Sequence, residues 1–193
     1  MTALLAAKYG NFNQNILLTN LVYETAMQIR TTQNYGISTK GVDAASTGCS
    51  PSSGSSMSFM CAYGIAFSKN TTSSENTRFQ IFADGVSGGQ TTGDYILTTQ
   101  VPSAPDVLIS TYYLKRGAII SGLVGCDNSA CTASTSYNKI FIAFKRPDPE
   151  AIITGKISAA TSSLTYVKIT IQGTDGTTRA ITVRKNGQIS VDI

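Results

Sequence analysis

The spacing of apolar residues changes once along this chain, near residue 36, and this change limits the folds open to it. Residues 4–35 contain no proline and one glycine. Apolar side chains recur there at steps of three and four, at Leu18, Leu21, Val22, Ala26 and Ile29. This spacing is typical of one face of an amphipathic helix. Gly36 stands where a helix C′ glycine is expected, so we predict a helix over 4–35 that stops there.

After residue 36 the apolar residues alternate with period two, which is typical of strands. We predict strands over 61–68, 78–84, 107–115, 118–124, 139–145, 165–172, 179–184 and 188–191. Asp175-Gly176 and Asn186-Gly187 separate the last three strands, and such dipeptides supply the positive φ angles of type I′ hairpin turns. These three strands should form an antiparallel meander. Pro-Asp-Pro at 147–149 is interpreted as a break in the chain.

The two periods together predict an α+β fold, with one long N-terminal helix packed on antiparallel β-sheet. The apolar stripe of the helix would cover the apolar face of the sheet. The chain has 193 residues, which is enough to bury a core as one structural domain. We expect residues 1–36 to be the helix and residues 37–193 to be the globular β region.

The four cysteines form two local pairs in loops. Cys49 and Cys61 flank a run rich in serine and glycine, and Cys126 and Cys131 flank four residues. An even number of cysteines in loops indicates disulfides and an oxidising compartment. Three pairings are possible, and we favour Cys49–Cys61 with Cys126–Cys131. A structural zinc site is the alternative, but neither spacing is CxxC and the chain has no histidine.

The sequence offers little catalytic chemistry. The lack of histidine excludes Ser-His-Asp and Cys-His nucleophile systems, and we predict no enzymatic activity and no cofactor. Asp84 and Asp94 bracket a glycine-rich stretch, but two carboxylates are few for a calcium cage, so we interpret the stretch as a hairpin loop without a metal. The net charge of +4 comes from scattered basic residues, which favours a solvated surface over a nucleic-acid footprint.

No run of about 18 apolar residues is present, so the chain as given is not expected to span a membrane. The stretch after Met1 also lacks the basic region and the cleavage site of a signal peptide. Disulfides require export, and we therefore expect the native N-terminus to lie upstream of Met1. An N-methylated aromatic or methionine residue would open the apolar stretch there.

Residues 16–38 resemble the second half of the N-terminal helix in type IV pilins and pseudopilins. The resemblance is strongest to the GspH/FimT-like branch, whose helix ends in a pattern like Ile-Arg-x-x-Gln-x-Tyr-Gly before it enters a β domain. Here that pattern runs from Ile29 to Gly36. Residues 79–84, 142–150 and 179–191 also resemble prepilin-type proteins. The prepilin-peptidase site of the family, and the Glu near its mature N-terminus, are absent from this sequence.

The resemblance implies a structural subunit of a type IV pilus or type II secretion pseudopilus, located at the bacterial cell surface. Its partners would be other pilin or pseudopilin subunits in a helical filament. An apolar first half of the helix, of which residues 1–7 would be the remnant, would anchor the subunit in the membrane before assembly. The helix residues expected to pack in the filament are Leu4, Leu5, Leu17, Leu18, Leu21, Val22 and Ile29.

A DNA-binding minor pilin for DNA uptake is the alternative function. Some FimT-like relatives bind DNA with a C-terminal Gly-Arg-x-Arg stretch. The nearest equivalents here are Arg184 and Lys185, with Arg179 on the same predicted strand, but Gly187 is followed by Gln188. We favour the structural role, because scattered positive charge gives weak affinity for phosphates.

Overall fold

A computed structural model describes residues 2–38, 40–43, 57–58, 61–85, 94–97, 106–127 and 134–192. In these ranges one α-helix, α1 (Thr2–Ile37), precedes all the strands, and a 3-10 turn covers Glu75–Thr77. The strands are β1 (Val42–Asp43), β2 (Met57–Ser58), β3 (Ala62–Ser68), β4 (Arg78–Asp84), β5 (Val107–Tyr113), β6 (Ile119–Cys126), β7 (Thr135–Ser136), β8 (Lys139–Lys145), β9 (Asp148–Ile157), β10 (Ala160–Leu164), β11 (Tyr166–Gln172), β12 (Thr178–Arg184) and β13 (Ile189–Asp192).

The strands form two large antiparallel sheets and one small one. The first large sheet has six strands in the order β10-β9-β8-β3-β4-β5. The second has five strands in the order β13-β12-β11-β6-β7, and β1 and β2 form a two-stranded sheet. The predicted meander is confirmed, because β11, β12 and β13 are consecutive antiparallel neighbours.

The predicted α+β class, a long helix packed on a sheet, is wrong. The fold is mainly antiparallel β, with two large sheets and one helix among the described residues. The prediction gave the helix the main role of covering the apolar face of the β-sheet structure. Here one hydrophobic core contains side chains from both large sheets, for example Ile142 of β8 and Ile169 of β11. The C-terminal half of α1 adds Val22 and Ile29 to this same core.

Two strands of the six-stranded sheet were not predicted. Residues 147–149 are not a break, because β9 begins at Asp148 and continues for ten residues. The pairing of β8 with β9 shifts register between Phe144 and Lys145, and Pro149 falls in that irregular stretch. A proline is tolerated at such a bulge because no ladder hydrogen bond needs its missing N–H. The other missed strand, β10, is an edge strand exposed over most of its length.

The hairpin turns also differ from the prediction. Gly176 and Gly187 both have φ of 83°, but neither Asp175 nor Asn186 has a positive φ. A type I′ turn requires positive φ at both central residues. Each hairpin instead has the signs of a type I turn followed by a glycine in the left-handed region, a common three-residue hairpin loop. The dipeptides mark the turn positions correctly and the turn type incorrectly.

Candidate functional site

The inner face of α1 fastens the helix to the β body. Leu18, Val22, Ala26 and Ile29 are buried, as their helical spacing predicts, and belong to the shared core. Two buried threonines lie on the same side, Thr25 and Thr32. Their hydroxyls donate hydrogen bonds of 2.9 Å to the backbone carbonyls four residues earlier, which satisfies these polar groups within the helix.

This burial includes three of the helix residues that are predicted to pack in the filament. Leu18, Val22 and Ile29 are enclosed in the core of their own chain. Their contact with a neighbouring helix stays a prediction. Leu17 and Leu21 are half-buried and line a groove of about 150 Å³ between α1 and the turns near residues 116 and 174. The side chains of Leu4 and Leu5 lie outside the described part of the structure.

The opposite face of α1 carries exposed apolar side chains. Ile16, Tyr23 and Met27 have 44%, 47% and 59% of their surface exposed, and we call these three residues the outer stripe. Their spacings of seven and four residues place them on one side of a helix with 3.6 residues per turn. This side is roughly 140° around the helix axis from the buried positions, since each residue turns the helix by about 100°.

The outer stripe was missed by the sequence analysis, although the sequence contains a signal for it. Ile16, Tyr23 and Met27 share one helical angle that differs from the angle of Leu18, Val22 and Ile29. A helix needs only one apolar stripe to pack on a single core, and this helix has two. The sequence alone could not show which stripe the body would cover, because both have helical spacing.

A second notable region is a cluster of three carboxylates beside β4 and β5. Ligand oxygens of Asp84, Asp94 and Asp106 all lie within 4.8 Å of one another. The register of β4 with β5 explains the meeting of two of them, because Ala83 pairs with Val107 and the next residues outward are Asp84 and Asp106. Asp84 and Asp94 were singled out from the sequence, but Asp106, which lies 22 residues after Asp84, was not.

Hydrogen bonds from backbone amides hold this acidic cluster in place. The Tyr95 amide donates to Asp84 Oδ1 and the Gly85 amide donates to Asp106 Oδ1, each at 3.0 Å. Burial raises the pKa of Asp84 to about 8, and the charges of Asp106 and Asp94 act in the same direction. If each carboxylate binds through one oxygen, the cluster offers three of the six to eight oxygen ligands that Ca²⁺ takes.

The predicted DNA-binding residues do not form one cationic surface. Arg179 and Arg184 lie near opposite ends of β12, five residues and roughly 17 Å apart. An odd separation along a strand directs their side chains to opposite faces of the sheet. The Arg184 guanidinium lies 5.4 Å from the centre of the Tyr166 ring, and Lys185 follows in the turn before β13. The DNA-binding role therefore stays a prediction with no gathered cations to support it.

Two of the four cysteines lie in the described ranges, Cys61 before β3 and Cys126 at the end of β6. Both are disulfide-bonded, and no described cysteine is free. Cys49 and Cys131 lie outside the described residues. The local pairing of Cys49 with Cys61 and of Cys126 with Cys131 accordingly stays a prediction.

Searches against protein-family models, curated proteins and solved structures find no match to this chain. In the described residues, no helix combines the length and the apolar character needed to cross a membrane. The outer stripe of α1 is the candidate functional site, because its large apolar side chains are exposed.

Proposed function

We propose that this chain is a structural subunit of a helical surface filament of the type IV pilus or type II secretion pseudopilus class. Its contact with neighbouring subunits is the outer stripe of α1, and its partners are other subunits of the filament. The observation that carries the proposal is the exposure of Ile16, Tyr23 and Met27 on the helix face that points away from the core.

The exposure of the outer stripe favours a protein partner. Exposed apolar patches on one face of a protein often mark sites of interaction with other proteins. Burial of apolar surface is worth roughly 25 cal/mol per Å² removed from water, so covering this face stabilises an assembly. The inner face is already occupied by the body, and a neighbour can bind the outer stripe without disturbing the core.

The spacing of the outer stripe favours a helix as the partner. Steps of three and four residues are typical of the seam between packed helices. In the sequence, Tyr9 and Phe12 precede Ile16 at steps of three and four residues, and Tyr23 and Met27 follow it at seven and eleven. The 36 residues of α1 correspond to a rod of roughly 54 Å at 1.5 Å per residue. Such a rod can contact several neighbouring copies along its length.

The proposal depends on α1 and not on the fold class of the body. The mainly β body departs from the expected α+β fold, and the role of its sheets is to hold the C-terminal half of the helix. The resemblance of residues 16–38 to pilin helices supports this same element.

The experiment is to place charges on the outer stripe of the full-length native chain, with Tyr23→Glu combined with Met27→Glu. Filaments are sheared from cells that make the variant and are counted by electron microscopy. The amount of the variant chain in this filament fraction is then measured. We expect the amount of the chain in filaments to fall by a factor of roughly ten or more, because an unpaired charge in a helix interface costs several kcal/mol. The melting temperature should stay within about 3 °C, since both side chains are exposed.

The control is Thr72→Glu with Ser73→Glu, which adds the same charge to an exposed turn before β4. This variant should enter filaments as the native chain does. Normal incorporation of the outer-stripe variant, or equal loss in both variants, would contradict the proposal.

A further inference from the structure

A concave region at one end of the six-stranded sheet gathers three lysines. We call it the lysine cleft, and its volume is about 490 Å³. Its polar lining includes Lys69, Asn70, Asn138, Lys139, Lys156 and Ser158. Volumes of this size are typical of sites for small molecules. The region is separate from α1, which contributes no residue to its lining.

Strand pairing brings the lysines together. Lys139, the first residue of β8, pairs directly with Lys156 of β9 on one side and with Ser68 of β3 on the other. Lys69 comes immediately after Ser68. Three neighbouring strands therefore deliver one lysine each to the same end of the sheet, although the lysines are up to 87 positions apart in the sequence.

The charges of the lysine cleft are only partly balanced. Lys139 forms an ion pair with Glu75, with 2.9 Å between Nζ and Oε2. Lys69 donates a hydrogen bond of 2.7 Å to the Ser136 hydroxyl, which is neutral. In the described part of the chain no carboxylate pairs with Lys69 or Lys156. Like charges directly opposite in an antiparallel pair destabilise a sheet, so Lys139 facing Lys156 is a cost that an anion would offset.

The other groups in the cleft suit an oxyanion. Asn70, Asn138, Thr71 and Ser158 can donate hydrogen bonds from amides or hydroxyls to oxygen acceptors. Among the described residues, no arginine lines the cleft. Lysine binds phosphate as a point charge, whereas the planar guanidinium of arginine also suits a single carboxylate. Phe141 also lines the cleft but is buried, so its ring is not available to stack on a nucleic-acid base.

We propose that the lysine cleft binds a small molecule carrying a multiply charged phosphate group, such as a diphosphate. Lys69 and Lys156 supply positive charge, Lys139 is shared with Glu75, and the asparagine and hydroxyl groups donate to the phosphate oxygens. This binding is independent of the filament role proposed for α1, since the two sites share no residue.

The test is calorimetric titration of the full chain with inorganic pyrophosphate at low ionic strength. We expect saturable binding to one site. Lys156→Gln should weaken the affinity at least about fivefold, and Lys69→Gln with Lys156→Gln at least about twentyfold, since each removes one charge close to the ligand. The melting temperature of each variant shows whether it folds, and loss of a like-charge pair should not lower it.

The matched control is Lys185→Gln, which makes the same charge change in an exposed turn of the other sheet. Its affinity should stay within about twofold of the native chain, because Lys185 is not among the residues that line the cleft and charges far apart in water interact weakly. Equal weakening in Lys185→Gln, or no saturable binding of pyrophosphate by the native chain, would overturn the proposal. Citrate bound as tightly as pyrophosphate would overturn the phosphate assignment. Binding of an oligonucleotide far more tightly than pyrophosphate, and weakened by the same lysine substitutions, would also overturn the proposal and would assign the cleft to nucleic acid.

Discussion

At the scale of single residues, Gly36 shows how closely α1 approaches the six-stranded sheet. It lies inside α1, one residue before the helix ends, and does not occupy the predicted C′ position. A Cβ atom on Gly36 would approach the Phe144 carbonyl oxygen of β8 to 2.4 Å. The glycine is thus required by the contact between helix and strand.

Gly36→Ala tests this contact, because the contact decides whether the substitution raises or lowers the free energy of unfolding. Replacing glycine by alanine within a helix normally stabilises it by about 1 kcal/mol. Here we expect destabilisation of roughly 1–3 kcal/mol, because the backbone of β8 must shift to admit the methyl group. Chemical denaturation measures the change. Asn34→Ala, at an exposed position two residues earlier, serves as the control and should be neutral or stabilising. A stabilised Gly36→Ala would show that the helix does not approach β8 this closely.

The burial of Asp84 makes the stability of the folded chain depend on pH, and it fixes the direction of that dependence. Its pKa is about 8 in the folded chain and about 3.8 ordinarily. Between those values the folded state holds a proton that the unfolded state has released, so stability falls as pH rises from about 4 to about 8. Above pH 8 the folded chain bears the full cost of a buried, charged carboxylate beside Asp94 and Asp106.

Asp84→Asn should remove this dependence. The amide oxygen can still accept the hydrogen bond from the Tyr95 amide, and it carries no charge. We expect the variant to be more stable than the native chain at pH 8.5 and nearly equal at pH 4. The gain at pH 8.5 is at most about 6 kcal/mol, because the pKa of Asp84 rises from 3.8 to about 8 and one pKa unit corresponds to about 1.4 kcal/mol. Denaturant titrations at both pH values, with a chelator present, measure this. An equal difference at the two pH values would contradict the protonated state of Asp84.

At the scale of elements, one side chain joins α1 to both large sheets. Gln33 Nε2 donates to the Pro149 carbonyl of β9 at 3.1 Å and to the Gly187 carbonyl of the β12–β13 turn at 3.4 Å. The same region is closed by a backbone hydrogen bond of 2.7 Å from the Ala151 amide to the Lys185 carbonyl. Gln33 therefore fixes the C-terminal end of the helix where the two sheets meet.

Gln33→Ala should destabilise the chain by about 1–2 kcal/mol, because it removes the hydrogen bonds that the Gln33 side chain donates to the Pro149 and Gly187 carbonyls. Gln28→Ala is the control, since the Gln28 side chain makes no hydrogen bond to the described residues. Thermal or denaturant unfolding of the two variants gives the comparison. Equal effects would mean that the bridge to the two sheets contributes nothing measurable.

The elements also show what a single sequence can predict. Helix α1 and strands β4 and β8 have long periodic patterns, and their positions follow from local spacing alone. β10 has mostly polar, exposed residues, so it has no apolar pattern to detect. β9 has an alternating buried pattern from Ala151 to Gly155, but Pro149 concealed its start. Whether a proline ends a strand or occupies a bulge depends on the neighbouring strand, which is not a local property.

At the scale of the whole molecule, the arrangement of the two sheets decides the fold class and the site. Local patterns predict strands but not their partners, so the sequence could not distinguish one sheet covered by a helix from two sheets with a shared core. The same limit applies to the acidic cluster, because Asp106 reaches Asp84 only through the pairing of β4 with β5. It applies again to the lysine cleft, which three paired strands assemble.

The central claim is that the outer stripe of α1 contacts α1 of another copy. The most direct measurement is photo-crosslinking in filaments from cells that make the full-length chain with a photoreactive residue in place of Met27. Mass spectrometry of the crosslinked peptides then identifies the partner segment. A matched chain with the photoreactive residue at Asn186, in an exposed turn, controls for random contact. We predict crosslinks from position 27 to α1 peptides of a second copy. Crosslinks only to other proteins, or none above the level of position 186, would contradict it.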